Sequence, residues 1–398
     1  MLMNLLFATS ILGLGLPNTH PRPTSPDFNS QLDGVDKPFQ SAVEKRVQAI
    51  VQTSRAVGAT VAVVIDGRLV AAVAVGLRKF GSPEPLLVTD PMHVGSNTKG
   101  MTALLFGRLV EKGRLGFNET VEEAFPYATS PEYATLPLIE FLYQRSGFTD
   151  ASVPDVFDRR YFPKDPQGLQ GTPALFSQVR QTFAKDCLSR HPGCPPASKH
   201  LYCNQNYVVV GAAEEVATHR TPWEDLMRRE VFEPLHMRAA GFGPMGSGED
   251  VSTPWQHIKK DGGWSPIYHD NPRYFGPAGT VHCSALDLAN YAYARVLGAH
   301  GRTEYLSPLT WNTLQTPPDK ESYACGIVTG PPGDDGMRDM SHEGNNNLSR
   351  SEWRVRNHGR IVVVAMMNCP SPALEDLMDT VSNLSSQYCA KQPPPTNW

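Results

Sequence analysis

His93-Val94-Gly95-Ser96-Asn97-Thr98-Lys99-Gly100-Met101-Thr102-Ala103 opens an apolar-periodic stretch and sets a hydroxyl and an amine three residues apart. Met101, Leu104, Leu105, Leu109 and Val110 recur at helical spacing, and Gly113 suits the position just past a helix end, so the pattern predicts a helix over about 96–112. Positions i and i+3 share one helix face, so Ser96 and Lys99 would lie together. A lysine held neutral takes the proton of a serine hydroxyl and makes a nucleophile. The bland alternative is a serine that only caps a helix beside a solvated lysine. With 26 Ser and 12 Lys in 398 residues, about one S-x-x-K is expected by chance. The pair therefore needs partners elsewhere in the chain.

Working outward, the segment 40–54 reads as a helix with Val43, Val47, Ile50 and Val51 on one side. Two β-rich runs, 59–65 and 68–75, flank Asp66-Gly67, a strong hairpin signal. Helical signals dominate 118–298, with helix starts at Thr221-Pro222-Trp223-Glu224, a capping-box pattern, and at Ser284-Ala285-Leu286-Asp287. The stretch 150–199, rich in Pro, Gly and charge, reads as a long excursion. Strand character returns over 323–329, 338–342, 352–356 and 360–368, and a last helix is expected over 372–387. The order predicts an α/β (α+β) fold: an antiparallel sheet flanked by helices, built from both chain ends, with a large helical insert. The expected division is 38–90 with 305–398 as the sheet domain and 91–304 as the helical domain carrying S-x-x-K.

Hydrophobic residues make up 40% and charged residues 19%, with net charge −4, values that imply a packed core and exclude a basic nucleic-acid-binding stripe. Residues 1–16 are mostly apolar but short for a membrane span, and with the Pro- and Thr-rich residues that follow they read as a signal peptide and linker over 1–25. That reading implies a secreted or periplasmic protein with no stable membrane span. Export would permit disulfides among the seven cysteines, Cys187–Cys194 and Cys369–Cys389 being the candidates. The spacing of Cys187, His191, Cys194, His200 and Cys203 matches no familiar zinc pattern, so no metal or other cofactor is expected.

Ser96-x-x-Lys99, Tyr202-Cys203-Asn204 and His342-Glu343-Gly344 resemble, in order, the three motifs of the serine β-lactamases and penicillin-recognising enzymes. Y-x-N occurs once, whereas H-x-G occurs at His93, His191 and His342, and His342 is chosen because it lies among the late strands. The H-x-G form is closer to class C-related esterases and D-aminopeptidases than to the K-T-G form. Ser146-Gly147-Phe148, Val231-Phe232-Glu233-Pro234-Leu235, Pro277-Ala278-Gly279 and Ser341 to Asn345 are also similar to that family, and the likeness runs over roughly 43–384.

The resemblance implies a β-lactamase/transpeptidase-like fold and acyl transfer to Ser96. Lys99 and Tyr202 would share the general-base role, and Tyr202 would return a proton to the leaving group. Asn204 would bond Lys99 and the substrate, and His342 and Gly344 would orient Tyr202 or the substrate. The backbone N–H groups of Ser96 and Asn345 would form the oxyanion hole. The bland readings are a core aromatic for Tyr202, a turn residue for Asn204 and a strand-end histidine for His342. Gln144 (where relatives often carry His nearby), Cys203, Gln256 and Thr280 depart from the family pattern without removing a catalytic group. The expected function is a serine hydrolase acting on a small ester, amide or peptide, with D-amino-acid amides among the candidates. A true β-lactamase or D,D-carboxypeptidase and a non-catalytic penicillin-binding-like protein are the alternatives.

Overall fold

The computed structural model describes residues 26–127, 129–163, 165, 167–246 and 250–393; the expected leader and linker lie outside them. Helix α1 (Lys37–Ser54) starts at Asp36, whose carboxylate accepts the Phe39 N–H, with a proline in its first turn. Strands β1 (Gly58–Ile65) and β2 (Arg68–Gly76) form the expected hairpin. Asp66 and Gly67 both have positive φ, 50° and 77°, as a two-residue turn matched to strand twist requires. Helices α2 (Asn97–Glu111), α3 (Pro173–Leu188), α4 (Gln205–Ala217) and α5 (Ala285–Ala299) lie in the middle of the chain. Strands β3 (Val328–Pro332), β4 (Arg338–Asn345), β5 (Arg350–Arg356) and β6 (Ile361–Met367) follow, and helix α6 (Ala373–Cys389) closes the fold.

The six strands make one antiparallel sheet in the order β2-β1-β6-β5-β4-β3. Its central pairing joins the chain ends, with Ala59 opposite Met367 and Ile65 opposite Ile361. Strands β1 and β6 are continuous apolar runs because both faces of the sheet are covered. Val61, Val63, Val363 and Ala365 pack with Val43 and Val47 of α1 and with Leu377 and Val381 of α6. Ala62, Val64, Val362 and Val364 belong to the larger core that contains Leu104 and Leu105 of α2 and Leu288 and Ala292 of α5. Helix α2 thus stands behind the sheet, and the edge where it meets β4 carries the site.

Several local expectations change. Thr221 does not cap a helix through a capping box: Pro222 precedes the helical turn, and the Glu224 carboxylate is taken by Arg180, 2.7 Å away. That arginine lies on α3, a 16-residue helix inside the expected excursion. Arg180 is buried and also pairs with Glu215 of α4, so one charge of the expected excursion anchors α3 to its neighbours. The strand expected at 323–329 begins only at Val328, which leaves Tyr323 free to serve the site. All seven cysteines are free, so neither Cys187–Cys194 nor Cys369–Cys389 forms; Cys187 and Cys369 sit inside the protein as small apolar side chains. Among the described residues no group of His, Cys, Asp or Glu is placed to hold a metal ion, and no helix is long and apolar enough to cross a membrane.

Candidate active site

Ser96 is the residue just before α2, with φ −65° and ψ −10°, and its hydroxyl makes no capping bond. The Oγ instead lies 3.0 Å from Lys99 Nζ and accepts the Tyr202 hydroxyl at 2.8 Å. Lys99 is fully buried, and its amine also donates to the Ala278 carbonyl at 2.7 Å. Both oxygens are uncharged. Burial therefore pushes the amine below its ordinary value, against an opposing pull from Tyr202. The amine also sits over the Tyr202 ring, 4.9 Å from its centre. Tyr202 itself is nearly half exposed, at 46%, so it is not a core aromatic; Ser96 stands at the N-cap position of α2, but its hydroxyl does not cap the helix.

Gln144, noted in the sequence as a departure from the family, positions the tyrosine loop. It takes a left-handed backbone, φ 60°. Its side-chain oxygen accepts the Cys203 N–H at 3.0 Å and the Asn206 amide at 2.5 Å, while its carbonyl accepts the Leu201 N–H. The loop entering α4 is thus held on both sides of Tyr202.

Two expected contacts are not made. Lys99 bonds to Ser96 and Ala278 rather than to Asn204, which lines the pocket beside Ser96. His342 is buried and does not bond Tyr202; its Nε2 lies 3.5 Å from the Tyr323 hydroxyl. Tyr323 stands edge-to-face against both, its ring centre 6.2 Å from that of Tyr202 and 5.9 Å from that of His342. Burial pushes His342 down to about 3, so the imidazole is neutral at ordinary pH. Tyr323 is the site residue that sequence reasoning missed. No motif marks it, and its only sequence signal was membership of a run that read as strand.

Gly344 and Asn345 end β4 against the turn that carries Ser96. A Cβ on Gly344 would lie 1.7 Å from the Val94 carbonyl, and one on Gly95 would lie 2.5 Å from the Asn345 nitrogen. Only glycines allow this approach, which brings the Asn345 peptide beside the one preceding Ser96. Ser351 of β5 fixes the same turn, donating to the Val94 carbonyl at 3.0 Å and accepting from Asn97 Nδ2 at 2.8 Å. A pocket of about 380 Å³ opens here, lined by Ser96, Asn204, Phe157, Phe275, Asn271 and the loop 345–348. Gln256, another departure, ties its two walls: it donates to the His269 carbonyl at 2.7 Å and accepts from Asn346 at 2.5 Å.

The model of the beta-lactamase family matches residues 43–386. The chain belongs to the beta-lactamase family. This places it among serine-hydrolase-type proteins, with an antiparallel sheet flanked and interrupted by helices as that architecture has. It is 25% identical over 262 residues to penicillin-binding protein 4 of Amycolatopsis lactamdurans, a match covering 64% of either chain; it thus spans just under two thirds of that relative. Its fold is similar to that of the D-amino acid amidase of Ochrobactrum anthropi SV3, with a TM-score of 0.69 at 16% identity, covering 88% of this chain and 99% of that one. It is also similar to the beta-lactamase/D-alanine carboxypeptidase of Pseudomonas syringae, with a TM-score of 0.70 at 14% identity, covering 89% and 100%.

Proposed function

We propose that this family member is a serine hydrolase that forms an acyl-enzyme through Ser96. The observation that carries the reading is Ser96 Oγ held between the Tyr202 hydroxyl and the amine of buried Lys99. A neutral Lys99 accepts the Ser96 proton, directly or through Tyr202, as the hydroxyl adds to the carbonyl. The charge that develops on the carbonyl oxygen is met by the backbone N–H groups of Ser96 and Asn345. Tyr202 then gives a proton to the leaving group, and water, deprotonated by the same pair, releases the acid. Asn204 lies on the pocket wall where it meets the substrate, and His342 acts through Tyr323, which backs Tyr202.

For the substrate we propose a small ester or a D-amino-acid amide. The third motif carries a neutral histidine rather than a cation, and the pocket wall beside Ser96 is aromatic and amide-bearing: Phe157, Phe275 and Asn345 to Asn347. A D-amino acid amidase shares this fold. A carboxylate-bearing substrate such as a β-lactam or a D-Ala-D-Ala peptide is disfavoured, because such sites hold the carboxylate with a cation. Labelling with a serine-reactive fluorophosphonate tests the chemistry, and equal labelling of wild type and Ser96→Ala refutes it. Comparing p-nitrophenyl esters, D-amino-acid p-nitroanilides and a chromogenic cephalosporin tests the substrate class; faster turnover of the cephalosporin overturns it.

A further inference from the structure

We infer that His93 and Asp270 are positioning residues that set the turn presenting Ser96. The inference rests on the hydrolase reading above for its effect on rate, and on geometry alone for its tautomer. His93 ends a two-residue strand paired with Val281–Cys283 and is buried. Its Nδ1 accepts the Gly95 N–H at 3.1 Å. A ring nitrogen that accepts carries no proton, which puts the ring proton on Nε2. Nε2 lies 2.9 Å from Asp270 Oδ1, with both side chains fully buried. Nε2 makes no directed hydrogen bond there, so Asp270 flanks the ring at contact distance and confines it.

The consequence is local and directional. The N–H that His93 accepts belongs to the Val94–Gly95 peptide, one residue before the peptide that carries the Ser96 N–H, so the ring fixes the entry to the turn from which Ser96 projects. The neighbour of Asp270 braces the other flank. Asp270 Oδ1 accepts the Asn271 N–H at 2.7 Å, and Asn271 Nδ2 donates to the Gly279 carbonyl at 3.1 Å. Gly279 follows Ala278, whose carbonyl accepts the Lys99 amine. One dipeptide, Asp270-Asn271, therefore ties the turn before Ser96 to the turn that holds its base. Displacements of about 1 Å at a reacting group cost on the order of a hundredfold in rate, so a brace of this kind acts on kcat rather than on substrate affinity.

His93→Asn and His93→Gln separate positioning from packing. The Asn side-chain oxygen reaches the place of Nδ1 and still accepts the Gly95 N–H; the Gln oxygen reaches only the place of Nε2. With p-nitrophenyl acetate, His93→Asn is expected to keep kcat within about threefold, and His93→Gln to lose about tenfold or more with KM little changed. Fluorophosphonate labelling of Ser96 should follow kcat. Equal kcat in the two variants, or losses confined to KM or to melting temperature, overturns the inference. If either variant fails to fold, nitrogen NMR of histidine-labelled wild type decides: an unprotonated Nδ1 and a protonated Nε2 on His93 support the brace, and the opposite tautomer or an imidazolium refutes it. That measurement reads the same whether or not the chain hydrolyses anything, whereas an unlabelled wild-type Ser96 sinks the hydrolase reading and leaves the tautomer standing.

Discussion

Gly344→Ala should separate folding from catalysis at the oxyanion site. The added Cβ would lie 1.7 Å from the Val94 carbonyl oxygen, 2.7 Å from its carbon and 3.0 Å from Asn97 Nδ2. Two of these are backbone atoms, held by the Ser351 hydroxyl and by the pairing of β4 with β5. Ordinary contact begins near 3.4 Å, so the end of β4 must retreat by about 1.7 Å from the Val94–Ser96 turn if it alone moves. Asn345 is the next residue and moves with it, opening the proposed pair of oxyanion donors. Overpacking of this kind costs about 1–3 kcal/mol, which cores packed on both faces of the sheet tolerate, while the loss of one oxyanion donor costs about 10²–10³ in rate. The control is Gly330→Ala on β3, where the nearest atom to a new Cβ is 3.7 Å away. Fluorophosphonate labelling rates and thermal melts of the two variants provide the readout. The reasoning is refuted if Gly344→Ala labels at close to the wild-type rate, or if Gly330→Ala is impaired as much.

Tyr202→Phe removes one hydroxyl from a half-exposed side chain, so kcat should fall by about 10²–10⁴ with melting temperature nearly unchanged; a loss of stability without a loss of rate contradicts the role. Lys99→Met should abolish turnover yet leave stability similar, and remove a pH dependence. The folded pKa of Lys99 is depressed, so between that value and the unfolded one the unfolded chain holds the extra proton and wild type gains stability as pH rises. Urea titrations from pH 7 to 10 should show wild type gaining on Lys99→Met; parallel curves argue for a charged Lys99. His257 donates from Nδ1 to the Asn368 carbonyl and accepts the Phe80 N–H at Nε2, and burial pushes it down to about 4. Its stabilisation is therefore fully present above an unfolded value of about 6.5 and is lost as pH falls from there to about 4. His257→Gln should flatten the acid side of the denaturation midpoint against pH, and an unchanged slope there counts against it.

Much of the site was legible from local chemistry. Ser96 and Lys99 share one helix face, and helical periodicity alone requires that. The Asp66-Gly67 turn and the apolar runs it joins were equally local. What failed was tertiary. The helix Pro173–Leu188 carries a buried arginine, and a charge reads as surface until its partners Glu215 and Glu224 are seen. Asn204 missed Lys99 because the Ala278 carbonyl, distant in sequence, took the amine's second bond. Tyr323 was hidden because only the fold sets its ring edge-to-face against both Tyr202 and His342.

The sequence by itself placed Ser96 and Lys99 on one helix face and laid out the hairpin and the antiparallel sheet, because spacing, turn chemistry and apolar period are properties of neighbouring residues. The tertiary structure decided which oxygens hold Lys99, that His342 meets Tyr323 rather than Tyr202, and that Gly344 and Gly95 bring two backbone segments together. Those are contacts between residues tens to hundreds of positions apart, and only the pairing of β1 with β6 and the packing of α2 behind the sheet bring them within reach of one another.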